Sequence, residues 1–336
     1  MKRILAVLLV VILALSIGAC TSKQNQVIEE KPLIVLVTDV GGLGDQSIHD
    51  VAWAGCEKAE SKYDIEIRCL ESESADEYVK NVELAVNDGA TLTICVGENF
   101  TETIKTMGEK YPKNNFLLLD GVVDLPNVSS VVFKGEEGGF LAGVVAAEKS
   151  QTKKVGFVGG QDLPVIDSFR YGFLAGVQSV DPTIQVMEEY VGTFEDREAG
   201  KAAAIKMADE GVDVLFQAAG VSGIGAIEGA AEKGIQSIGV DQDQSALAPQ
   251  NVLCSVEKKV DVPIFDQIKL VLKDKFKGGV INYDLENGGL AIADKAGNLS
   301  KETNDSIKKW TKAIVKDKFV VPANSETFQS FVVPEV

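Results

Sequence analysis

The chain has 336 residues, 45% hydrophobic and 25% charged, and a formal net charge of −17. That length exceeds what one compact core usually holds and suits two lobes. So acidic a balance repels nucleic acid and anionic headgroups alike, so no nucleic-acid partner is expected.

The chain opens with Lys2 and Arg3, an apolar run from Ile4 to Ile17, and the small residues Gly18 and Ala19 before Cys20. The run falls short of the ~18–20 apolar residues that cross a bilayer as a helix, so it reads as an export signal rather than a fold element. The next stretch, the polar TSKQNQVIEEK ending at Lys31, reads as a flexible tether. From Leu33 onward, apolar runs at 33–38, 65–70, 91–96 and 116–120 read as strands. Their hydrophobicity is continuous rather than alternating, which means burial on both faces. Between them, 46–61, 75–87 and 100–110 carry apolar residues at helical spacing, so the repeating unit is βαβ and the sheet parallel.

The helix at 136–149 links this series to a second one. Strands at 154–158, 185–191, 212–217 and 236–240 there alternate with helices near 165–179, 196–210 and 222–234, and after Val252 the chain is expected to cross back at least once. The expected fold is α/β, with two doubly wound parallel-sheet lobes. The expected division is a signal peptide at 1–19, Cys20 with its tether at 20–31, a first lobe at 32–150 with a return segment near 258–280, and a second lobe at 151–257 with C-terminal segments near 281–336.

In open parallel sheets, ligands sit beyond the carboxyl ends of the strands. The residues there are Asp39, Gly97, Asp120, Gly159, Gly220 and Asp241. A carboxylate accepts hydrogen bonds from hydroxyl and N–H groups, so a cleft ringed with aspartates suits a polyhydroxylated or N–H-bearing solute; each Asp could equally cap the helix after it. Phe194, on the GTFED loop, is either a core aromatic or a ligand contact.

Enzyme chemistry is poorly supplied. His49 is the single histidine, without a G-x-S-x-G elbow, and near the start of a helix it reads as a surface or cleft hydrogen-bonding residue. The turn Gly220-Val-Ser-Gly223-Ile-Gly225 resembles a phosphate cradle, but the spacing is not G-x-G-x-x-G. Neither a Tyr-x-x-x-Lys pair nor a G-x-x-x-x-G-K-[ST] loop is present. Cys56, Cys69, Cys95 and Cys254 lack metal-ligand spacing, and the strand-like settings of Cys69 and Cys95 suit small buried apolar residues. No metal, cofactor or catalytic residue is therefore expected.

The amino-terminal arrangement resembles a lipoprotein signal peptide, with Ile17 where Leu is usual; in that resemblance Cys20 is lipidated after cleavage before it. The segments DVGGLGDQS (39–47), DGVVDLPNVSSVVFKGEEGGFLAG (120–143), KVGFVGGQDLPVIDSFRYGFLAGV (154–177), GTFED (192–196), AAGVSGIGAIEGA (218–230) and GVDQD (239–243) occur in one order. Together they resemble the basic membrane protein family of purine-nucleoside receptor lipoproteins, the substrate-binding subunits of ABC importers.

The resemblance implies a type I periplasmic-binding-protein fold with a three-strand hinge, a purine nucleoside of the adenosine, guanosine or inosine type enclosed between the lobes, partner permease and ATPase subunits, a lipid anchor on the extracytoplasmic face of the cell membrane, and no reaction. It implies that Asp39 and Asp120 contact the solute, Asp120 at the base, and that Phe194 stacks on the base. It places Gly220, Asp241 and Lys258 at the ribose hydroxyls. Where the family reads D-x-S-F-N, this chain has Asp45, Gln46, Ser47, Ile48 and His49, so Ile48 replaces the second stacking aromatic and a weakened or altered base preference is expected. The alternatives are a different solute, such as a sugar or a modified nucleoside, and a membrane-tethered sensor.

Overall fold

The computed structural model describes residues 31–335; the signal segment, Cys20 and the tether up to residue 30 lie outside them. In chain order, β1 (Leu33–Thr38), α1 (Ile48–Glu60), β2 (Glu66–Leu70), α2 (Tyr78–Asn87), β3 (Leu92–Val96), α3 (Thr101–Lys110), β4 (Phe116–Leu119) and β5 (Val128–Phe133) come first. α4 (Gly135–Lys149) leads to β6 (Lys154–Gly159), α5 (Pro164–Val180), β7 (Gln185–Tyr190), α6 (Arg197–Asp209), β8 (Val214–Ala218), α7 (Gly220–Lys233), β9 (Gln236–Asp241) and β10 (Val252–Lys258). The chain ends in α8 (Asp261–Val271), β11 (Gly279–Tyr283), β12 (Leu290–Ala293), α9 (Lys301–Val315) and α10 (Ser325–Gln329). Among the described residues, no helix is long and apolar enough to cross a membrane.

The strands form two sheets. The first runs β11-β5-β4-β3-β1-β2 and is parallel throughout. The second runs β12-β10-β9-β8-β6-β7, parallel except for β12, which lies antiparallel to β10. Each repeats the doubly wound order 2-1-3-4-5 plus one edge strand, with its topological switch beside the first strand. The sequence explains why: LIVLVT in β1 and FLLL in β4 are buried along their whole length, as strands covered by helices on both faces must be. Burial of each large aliphatic there contributes roughly 1.5–3 kcal/mol.

The helix expected to link the lobes is instead part of the second one. Phe140 and Val144 of α4 share a core with Phe157, Phe173 and Phe216. α4 and α5 approach backbone to backbone: a β-carbon at Gly139 or Gly143 would come within 2.2 Å of the Phe169 or Phe173 carbonyl oxygen, and one at Gly172 or Gly176 within 2.1 Å of that of Glu136 or Phe140. Trp310 of α9 closes the far side, 5.2 Å from the Phe140 ring centroid.

The chain passes between the sheets three times, after Phe133, after Lys258 and after Tyr283. The second passage delivers α8 to the first lobe, where Asp261 abuts Gly55 of α1. β11 then completes the first sheet and β12 edges the second. The first and third passages are bonded together. Lys134 donates its amide to the Tyr283 carbonyl at 2.9 Å and pairs with Glu137 at 3.2 Å and Asp284 at 3.0 Å. Glu137 accepts the Leu285 amide at 3.0 Å.

Candidate functional site

Both switch points open onto one cleft between the sheets, the place where doubly wound folds take their ligands. Asp39, Ile48, Asp120, Phe194, Gly220, Asp241 and Lys258, the residues singled out from sequence, all line it.

Asp39 comes directly after β1 and is buried. Its Oδ1 accepts the Gly41 amide at 3.0 Å. The same oxygen lies 3.1 Å from His49 Nε2, close enough for an ion pair but without the alignment of a hydrogen bond. Asp120 comes directly after β4 with φ +65° and Asp241 ends β9 with φ +67°. Left-handed backbone is uncommon outside glycine, though Asp tolerates it, and here it turns two carboxylates off their strand ends. Asp120 pairs through Oδ2 with Lys258 Nζ, while its buried Oδ1 has no hydrogen-bond partner among the described residues. Lys258 is 2% exposed, with its ammonium 5.0 Å above the Phe133 ring, so Asp120 and the ring together offset the cost of burying that charge.

Phe194 is fixed by its neighbours. The Ser222 amide donates to the Phe194 carbonyl at 3.0 Å, and the Ser222 hydroxyl to the Thr193 carbonyl at 3.1 Å. Its ring lies against Gly160, where a β-carbon would come within 2.3 Å of it. Gly220 has φ +57°, a conformation that only glycine takes at little cost, and starts α7 directly beneath Phe194. The neighbouring glycines have packing reasons: a β-carbon at Gly223 would strike Gln217, and one at Gly225 the Arg197 backbone. The cradle-like turn thus joins α7 to β8 and α6.

Several cleft residues had not been singled out. Ser47 donates its hydroxyl to Asp241 across the lobes. Gln244 Nε2 donates to the Gln46 carbonyl at 3.0 Å, and the Val165 amide to Glu98 Oε2 at 3.1 Å. With Lys258–Asp120, these contacts hold the lobes together over the cleft. Val165, Ile166 and Phe169 add an apolar wall. Burial pushes the Asp241 carboxyl above its ordinary range, against the pull of Lys258, and pushes Glu98 up as well. Strand ends had pointed to Gly97, which abuts Asp39, and to Gly159, whose close neighbour is Tyr190.

Of the two places expected for His49, surface or cleft, the structure gives the cleft, which it lines. It is 4% exposed, with Nδ1 2.8 Å from Asp45 Oδ2 and its amide donating to the same oxygen at 3.1 Å. Asp45 also accepts the Ser47 amide at 2.9 Å and the Asp50 amide at 3.2 Å, and so serves as the anionic cap of α1. The i,i+4 spacing of Asp45 and His49 was the readable signal. Among the cysteines, Cys56, Cys95 and Cys254 are buried, Cys69 is only partly so, and all four are free thiols.

The family described as ABC transporter substrate-binding protein PnrA-like matches residues 33–325. Basic membrane protein A of Borreliella afzelii is 34% identical over 308 residues, covering 89% of this chain and 94% of its own. The ABC transporter nucleoside-binding protein BmpA of Lactococcus lactis subsp. cremoris is 33% identical over 312 residues, covering 86% and 88%. A crystal structure of an ABC transporter solute-binding protein from Aeropyrum pernix superposes with a TM-score of 0.80 at 26% identity, covering 89% of this chain and 96% of that one. Two doubly wound lobes with the type I periplasmic-binding-protein fold, one cleft between them, and a family match over most of the length lead to one conclusion: the chain belongs to the PnrA-like family of ABC-transporter substrate-binding proteins.

Proposed function

We propose that this protein is a lipid-anchored receptor that closes over a purine nucleoside and delivers it unchanged to an ABC permease with its ATPase. The observation that carries the reading is the meeting, in one cleft, of the Phe194 ring with Asp39, Asp120, Asp241 and Lys258. An aromatic face gives a purine roughly 1–3 kcal/mol of stacking. Carboxylates read N–H and O–H donors, and a lysine donates to sugar oxygens. In this reading Asp39 and Asp120 contact the solute, Asp120 at the base, while Gly220, Asp241 and Lys258 meet the ribose. The nucleoside-binding name of the Lactococcus relative points the same way.

Ile48 also lines the cleft and covers a ring face by dispersion alone, so no aromatic side chain stands at that position to face Phe194 across the base. This favours a second reading, a sugar or a modified nucleoside as the solute. Calorimetric titration with adenosine, guanosine, inosine, cytidine and ribose separates the two. Purine nucleosides are expected to bind more tightly than cytidine or ribose, and ribose binding without nucleoside binding overturns the proposal. Recovery of free base from a bound nucleoside would replace the receptor with an enzyme. A sensor-kinase gene beside this one, in place of permease and ATPase genes, would favour signalling over uptake.

The anchor is assigned to Cys20, which places the receptor on the extracytoplasmic face of the cell membrane. Metabolic labelling with a fatty acid is expected to mark the protein and to fail for Cys20→Ala.

A further inference from the structure

We propose that His49 is a positioning residue for the solute: a buried imidazolium clamped between Asp39 and Asp45 that fixes one oxygen of Asp39 and leaves the other to accept a proton-bearing group of the ligand. The proposal rests on the protein being a nucleoside receptor.

Both ring nitrogens face carboxylates. Asp45, held by three amides at the start of α1, takes Nδ1. Asp39, at the end of β1, faces Nε2. Gly41 lies beside the ring, where a β-carbon would come within 3.1 Å of it. A neutral imidazole carries one N–H and leaves one ring nitrogen, a lone pair, facing a buried carboxylate. The cation hydrogen-bonds Asp45 through Nδ1 and pairs by charge with Asp39 through Nε2.

The charged groups acting on the ring are Asp39 and Asp45. Burial opposes the charge, yet the two carboxylates outweigh it and lift the imidazole to about 10. Tyr78, beyond Asp39 on α2, is raised to about 12 by burial and by the same carboxylate, so Asp39 lies between two groups that answer to its charge. Asp39 Oδ1 is occupied by the Gly41 amide and the imidazole, and Oδ2 turns toward Gly97; Asp39 and Gly97 both line the cleft.

The arrangement is repeated at the other strand end. Lys258 holds Oδ2 of Asp120 and leaves Oδ1 without a partner among the described residues. Each carboxylate thus has a buried cation behind one oxygen and a second oxygen to spare. Two such acceptors demand two donors from the solute, and a group offering lone pairs instead is rejected, because it would face a carboxylate with no hydrogen to share.

Because His49 is the only histidine, one proton NMR signal reports it. In the purified protein its C2–H resonance is expected to show imidazolium through pH 8 and to titrate near pH 10; a midpoint near the ordinary ~6.5 overturns the proposal. For His49→Gln, which keeps a donor but no charge, adenosine, guanosine or inosine affinity at pH 7 is expected to fall about tenfold. The wild-type protein should lose affinity between about pH 8 and 10.5, as the imidazolium gives up its proton, a loss missing from the variant's profile. Equal affinity and parallel profiles overturn the positioning role. If the variant does not fold, the wild-type titration and its affinity profile still decide. The NMR titration needs no solute, so failure of the nucleoside panel and failure of this proposal are separate outcomes.

Discussion

The two lobes bring different chemistry to the same cleft. The first lobe contributes carboxylates with built-in counter-charges: Asp39 with His49, Asp45 with its ring of amides, and Asp120 with the Lys258 that reaches over from β10. The second contributes mostly surface, from Val165, Ile166, Phe169 and Phe194, with Asp241 as its one cleft carboxylate. Both sheets have the same strand order, so topology does not dictate the difference. It comes from the loops at the strand ends. Those after β1 and β4 place Asp39, Asp45 and Asp120 in the cleft, and those after β6 and β7 together seat the Phe194 ring on Gly160. A rigid polar wall can fix orientation while an apolar wall closes over whatever is oriented, provided the two remain distinct.

The sharpest way to break the polar wall is Asp120→Ala. It leaves Lys258 buried beside only the more distant Glu98 and Asp241, and should cost about 3 kcal/mol of folding stability in denaturant titration, together with solute binding. Phe194→Ala strikes the other wall. The ring is half-buried, so stability should change little while nucleoside affinity drops by roughly 1–3 kcal/mol; unchanged nucleoside affinity in calorimetry would remove Phe194 from the site. Ile48→Phe tests whether the first lobe can take on the second lobe's role. A second ring over the base should add about 0.5–1.5 kcal/mol to purine affinity, read by calorimetry against cytidine.

The smallest change is expected from Glu98→Gln, which retains an acceptor for the Val165 amide and should shift stability by no more than about 0.5 kcal/mol. Burial raises the Glu98 carboxyl, so its contribution is complete below the unfolded value and disappears as pH rises through the folded one. A melting-temperature profile across the carboxylate range should lose that decline in the variant.

Much of this was legible in the sequence, for identifiable reasons. Strands such as LIVLVT and FLLL are apolar throughout because helices cover both faces, and Asp39, Asp120 and Asp241 stand out because each sits at the end of such a run. β5 was hidden by Ser129 and Ser130, which are fully buried polar residues inside an otherwise apolar segment. β11 was hidden for the opposite reason, since an edge strand with three exposed residues has no apolar run to show. The lobe to which Gly135–Lys149 belongs could not be read, because that helix is buried on nearly every side and its partner is chosen by a glycine fit with α5 that only tertiary structure reveals. That His49 is a hydrogen-bonding cleft residue was legible from its place near the start of a helix, whereas the burial of its ring was not, because it depends on Asp39, ten positions away on another element.

That glycine fit sets a tolerance for the whole receptor. α4 begins directly after the first passage between lobes, and α5 begins at Pro164, beside the Val165 amide that meets Glu98. With no side chain to compress between them, the two helices move as one thick plate whose hinge edge and cleft edge stay in fixed proportion. A single methyl group at Gly139 or Gly176 would act as a shim: it would tilt the edge that touches Glu98 and change how far the jaws can shut without altering any residue that meets the cargo.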